Sequence, residues 1–94
     1  MRNYEVVVIA HPDLDEAGFS GIIEKVKGWI VDAGGTIAKV DLWGRRRMAF
    51  QIRKQIEGQY VLIECQMAPS FAAELERNLR FQESVMRFLI KSVE

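Results

Sequence analysis

The chain has 94 residues, about half of them apolar, with 13 basic and 13 acidic side chains and no net charge. That length suits one small domain, residues 1–94, with a real core but little apolar surface left for a deep enzyme pocket. One cysteine, Cys65, and one histidine, His11, exclude an intrachain disulfide and a cysteine-rich metal site, and charge neutrality excludes binding through bulk positive charge.

The N-terminal segment Asn3–Ala10 is rich in Val and Ile and reads as a first strand. Its apolar run, Val6–Ala10, falls far short of the roughly 20 residues that span a bilayer, and no basic-then-apolar leader precedes it. A soluble cytoplasmic chain is expected, in keeping with the single thiol. His11-Pro12-Asp13 breaks the strand. Asp13 with Glu16 three residues on has the form of a capping box. Phe19, Ile22, Ile23, Val26 and Ile30 then recur at helical spacing, and Gly34-Gly35 stops the helix.

Thr36–Arg53 reads as a second strand, with Val40, Leu42, Met48, Phe50 and Ile52 on even positions. At 3.3 Å per residue its length would be roughly 60 Å, about twice that of the first helix, so it must bend, bulge or overhang. Gly44 is the natural bulge. A turn over residues 54–57 leads to a third strand, Gly58–Ala68. Pro69-Ser70 opens a second helix with Phe71, Leu75 and Leu79 on its buried side, and Ser84–Val93 is the fourth strand. The order β-α-β-β-α-β predicts a ferredoxin-like α+β fold: a four-stranded antiparallel sheet in order 4-1-3-2, with both helices on one face.

The inventory contains no catalytic constellation, and no enzyme, cofactor or metal is expected. His11 lies in a loop without a neighbouring nucleophile. Cys65 alternates with Val61, Ile63 and Met67 on a buried face, as a core thiol does. Asp13, Asp15 and Glu16 lack the spacing of a calcium loop. The charge distribution is more informative. Asp13 to Glu24 carries four acids and no base, whereas every charge between Asp41 and Glu57 is positive: Arg45, Arg46, Arg47, Arg53 and Lys54. Arginine forks suit phosphate, but a charged edge strand protected from aggregation has the same composition. Alternation places Arg45 and Arg47 on one face. If Met48 and Phe50 point to the helices, Arg46 heads to the covered side.

Four segments resemble one family in order and without large gaps. Met1-Arg2-Asn3-Tyr4-Glu5 is similar to the opening of bacterial small-subunit ribosomal protein six. Gly44-Arg45-Arg46-Arg47-Met48-Ala49-Phe50-Gln51-Ile52 resembles its central motif, Gly58-Gln59-Tyr60 follows at its spacing, and Glu83-Ser84-Val85-Met86-Arg87-Phe88 resembles its last-strand signature. The sequence departs at Phe50, where tyrosine is usual, at Gln51, where proline is usual, and in a tail that is almost missing, so the family's tail contacts are not carried over.

The resemblance implies a ferredoxin-like structural constituent of the small ribosomal subunit. Such a protein binds the central domain of small-subunit rRNA and forms a heterodimer with small-subunit ribosomal protein eighteen. The RNA-binding residues expected are Arg2, Tyr4, Arg45, Arg46, Arg47, Arg87 and Lys91. The topology is expected to gather Arg2, Arg45–Arg47 and Lys91 at one end of the sheet, with Arg53 and Lys54 at the other. On the helix-free face, Val7, Ile9, Tyr60, Leu62 and Leu89 form an apolar patch that calls for a partner protein or a second copy. The competing reading is a small regulatory or metabolite-binding domain that dimerises through this sheet. It requires a pocket with convergent polar groups.

Overall fold

Strict alternation of apolar side chains sorts the two central strands into a buried and an open face. Val6, Val8 and Ala10 on the first strand, and Val61, Ile63 and Met67 on the third, have no exposed surface. In the computed structural model, which describes residues 1–93, these strands lie side by side, and Glu94 falls outside the described residues. The elements are β1 (Arg2–Ala10), α1 (Glu16–Asp32), β2 (Thr36–Ile52), β3 (Gln55–Met67), α2 (Pro69–Arg80) and β4 (Val85–Val93). All neighbours pair antiparallel in the order β2-β3-β1-β4, the expected ferredoxin-like sheet.

Both helices cover the same sheet face. Ile22, Ile23, Val26 and Ile30 of α1 and Leu75 and Leu79 of α2 join the strand residues in one core. Each large aliphatic side chain buried there contributes about 1.5–3 kcal/mol. The helix starts differ from expectation at α1. Asp15, not Asp13, is the N-cap, and its carboxylate accepts from the Gly18 N–H at 2.7 Å. Asp13 is already committed to a turn: its N–H donates to His11 Nδ1, and the Leu14 N–H donates to the His11 carbonyl. The helix can begin only after that turn. His11 is therefore the loop residue expected.

Cys65 belongs to this core, and burial pushes its thiol up from 9.0 to about 11. A neutral thiol is the inert form. Folding favours the bound proton, so stability should decline as pH rises from 9.0 toward 11, where the unfolded chain loses the proton first. Cys65 should resist a maleimide at pH 8 in native buffer and react on addition of denaturant. Rapid labelling of the folded chain would contradict its placement.

The β2–β3 hairpin outgrows the sheet. β1 and β4 have nine residues each, β2 has 17 and β3 has 13. The strands run on to a two-residue loop, Arg53-Lys54, closed by the Ile52–Gln55 pair, instead of the turn expected over 54–57. Both loop residues have positive φ, 52° and 65°, as a type I′ turn demands. That turn matches the strand twist, but left-handed backbone costs a side-chain-bearing residue roughly 1–2 kcal/mol. Arg53 offsets part of this cost: Nη1 donates to the Glu83 carbonyl at 2.6 Å and Nη2 to the Val85 carbonyl at 3.3 Å. The hairpin tip is thereby tied to the start of β4.

The expected bulge lies at Gly44. The register slips between Leu42 and Gly44, and Gly44 has φ 79°. Gly58 opposes Arg46 and lets the hairpin lie against β1, since a Cβ there would run into Ile9 Cγ2, with Met48 Sδ beyond it at 3.8 Å. Ile is β-branched and turns away poorly. Gly58→Ala should therefore cost about 1–3 kcal/mol of unfolding free energy. Adding Ile9→Ala should recover part of that loss beyond additivity. Strict additivity in denaturant melts would remove the close approach as the reason for glycine.

Candidate nucleic-acid and partner interface

The open face is organised in rows across the strands. Leu62, Val7 and Leu89 stand opposite one another on β3, β1 and β4, with Asp41 of β2 beside Leu62. The next row holds Gly44, Tyr60, Ile9 and Arg87. The five residues expected to form an apolar patch are thus brought together, and Leu89 is 58% exposed. A charged row borders them on the other side: Lys39, Glu64, Glu5 and Lys91. Tyr4, expected at the RNA, is on the opposite face. It is 8% exposed and packs in the core, because Glu5 and Val7 take the open positions of β1.

The bulge redirects the second half of β2. Leu42 pairs with Val61, a helix-side residue, yet Gly44 pairs with Tyr60, an open-face residue. One extra residue on β2 inverts the alternation. Met48 and Phe50 therefore do not point to the helices. They line a groove of about 350 Å³ on the open face with Val7, Ile9, Tyr60 and Leu89. Arg46 likewise leaves the covered side. Its guanidinium lies 5.1 Å over the Trp43 ring, which stacks on Tyr60 with centroids 6.2 Å apart. Trp43 Nε1 donates to Asp41 Oδ2. Such a stack holds the Arg46 side chain out while leaving its donors available.

Arg45 takes the other face, as alternation requires, and is spent on structure. Its Nη2 donates to the Pro12 carbonyl at 2.7 Å, and its Nη1 lies 3.7 Å from Glu57. Gln59 Nε2 donates to the carbonyls of His11 and Leu14. These two β2–β3 side chains clamp the loop ahead of α1.

The expected single cationic end does not exist. Arg2 pairs with Met67, and Thr36 begins β2 at that same end, beside Gln66. Arg45 pairs with Gln59, which also faces Ala10. Eight residues of β1, roughly 26 Å, separate the two levels. Sequence reasoning took Arg45–Arg47 as the start of the paired part of β2, whereas pairing begins nine residues earlier. Lys91 stays with Arg2, opposite Glu5. Arg87, opposite Ile9, lies at the hairpin end, with its guanidinium 5.9 Å from the Phe50 ring. Arg46, Arg47, Arg87, Arg53 and Lys54 thus share one end, and among the described residues none of the five forms an ion pair. Trp43 and Arg53, not among the expected contact residues, also lie at this end. Trp43 was legible as an aromatic directly before the bulge glycine, but the reach of Arg53 to β4 was not.

Comparison with known proteins agrees with this architecture. A family model described as Ribosomal protein S6 matches residues 3–91. The chain is 46% identical over 94 residues to small ribosomal subunit protein bS6 of Moorella thermoacetica, covering all of this chain and 96% of that protein. It is 48% identical over 87 residues to the bS6 of Nocardia farcinica, covering 93% and 92% of the two chains. The crystal structure of 30S ribosomal protein S6 from Thermotoga maritima superposes with a TM-score of 0.93 at 30% identity, over 98% of this chain and 87% of that one. With the motif order, the fold and the full-length similarity in agreement, the chain belongs to the ribosomal protein S6 family.

Proposed function

We propose that this chain is a structural, non-enzymatic constituent of the small subunit of the cytoplasmic ribosome. It binds the central domain of small-subunit rRNA together with small-subunit ribosomal protein eighteen. The observation that carries the reading is family membership over nearly the whole chain, joined to a sheet with no helix on one face. Val7, Ile9, Tyr60, Leu62 and Leu89 form the partner face. The groove beside them has Arg87 as its one charged lining residue, a composition suited to a protein side chain more than to a polar metabolite.

RNA is held through phosphates by the arginines that the fold leaves free of ion pairs. Arg46 and Arg47 carry most of this contact, and Arg2 and Lys91 make a lesser second contact at the far end. A-form grooves hide base edges, so shape and backbone are read more than sequence.

Leu62→Glu should abolish heterodimer formation in size-exclusion chromatography while leaving circular dichroism and melting nearly unchanged. Unfolding by this substitution would contradict the open placement of Leu62. In salt titrations of a central-domain rRNA fragment with partner present, Arg46→Ala and Arg47→Ala should each lower the log–log slope by roughly 0.7 to 0.9. Arg45→Ala should leave the slope near wild type and lower stability instead. Losses confined to Arg2→Ala and Lys91→Ala would overturn the hairpin-end assignment.

A further inference from the structure

Three arginines from three elements line one cleft outside the open-face groove. Arg53 comes from the hairpin turn, Arg80 from the last turn of α2 and Arg87 from β4, and the cleft measures about 270 Å³. Leu79 and Phe88 give it apolar walls, and no carboxylate is among its lining residues. It lies along β4, an edge strand with no neighbour on its outer side. Three like charges around one small volume repel each other, and an anion between them relieves that repulsion.

Arg53 is held in place, and all three guanidiniums keep donors to spare. Arg53 uses two of the five N–H groups of its fork on the carbonyls of Glu83 and Val85. Arg80 has one exposed partner, Glu76 one helical turn earlier at 3.1 Å, and such a pair is weak and readily exchanged. Arg87 rests beside the Phe50 ring. Guanidinium forks suit the tetrahedral oxygens of a phosphate.

We propose that the cleft bounded by Arg53, Arg80 and Arg87 binds a backbone phosphate of RNA. The proposal rests on the ribosomal reading above and adds a contact site to it.

Arginine side-chain NMR tests this on the full chain with its partner protein. Addition of the central-domain rRNA fragment should move the Nε–Hε signals of Arg53, Arg80 and Arg87. Arg80→Ala, Arg87→Ala and Arg53→Asn, which suits the left-handed turn, should each lower the salt slope by roughly 0.7 to 0.9 and weaken binding several-fold. Lys27→Ala on α1 should leave both unchanged. If Arg53→Asn loosens the hairpin, the other two substitutions decide. Bound RNA with unmoved signals and unchanged slopes would overturn the cleft while leaving the ribosomal reading intact. Signals that respond to inorganic phosphate and not to RNA would also overturn it. An unsubstituted chain that fails to bind the fragment with partner present would overturn the ribosomal reading itself, and the cleft's RNA with it.

Discussion

The constraint on which this structure turns is a mismatch of length. A hairpin of 17 and 13 residues is attached to a sheet whose other strands have nine. The excess cannot continue as a flat extension without leaving unpaired backbone and apolar side chains in water. The chain resolves this with register shifts between Ile37 and Lys39, Leu42 and Gly44, and Arg47 and Ile52, and with a close approach of Gly58 to Ile9. The tip is tied to the first residues of β4 by Arg53. Those devices bring Met48 and Phe50 over the open face, where Met48 becomes 7% exposed while Phe50 remains 63% exposed.

The same devices decide what each arginine does. Before the Gly44 bulge, Ile37 and, past an earlier register shift, Val40 pack against the core. After it, Arg45 falls on the loop ahead of α1 and Arg46 on the aromatic stack. Two adjacent residues with identical side chains thus divide into a structural clamp and an outward cation. At the far end, the central acids Glu5 and Glu64 stand opposite each other on adjacent strands, flanked by Lys39 and Lys91. Like charges across a pair are unfavourable unless something positive shares them.

Much of the fold was legible because its signals are periodic. The alternating strands β1 and β3, the stripe Ile22–Ile30 and the Pro69 start of α2 follow from side-chain spacing alone. The helix-free faces of β1, β3 and β4 followed in turn, and with them the apolar patch. The resemblance in the Gly44–Ile52 segment carried the family. What escaped were consequences of register. A bulge can be located from its glycine, but the inversion it imposes on Arg46, Met48 and Phe50 depends on which strand gains the residue. The level of Arg45 along the sheet depends on where pairing begins. Tyr4 looked available because tyrosine is amphipathic, yet its neighbour Glu5 already fixed it on the buried side. The Asp15 cap was displaced from Asp13 by a turn that only the His11 and Leu14 hydrogen bonds reveal.

On the proposed function, the hairpin end of the sheet, more than the Arg2 end, faces RNA while the open face holds a protein. Ultraviolet cross-linking of the reconstituted complex of this chain, its partner and the central-domain rRNA fragment, read by mass spectrometry, addresses both parts at once. RNA adducts are expected on peptides covering residues 43–54 and 80–87, and protein adducts around Tyr60 and Leu89. RNA adducts confined to Arg2 and Lys91, with the hairpin peptides unmodified, would contradict this placement.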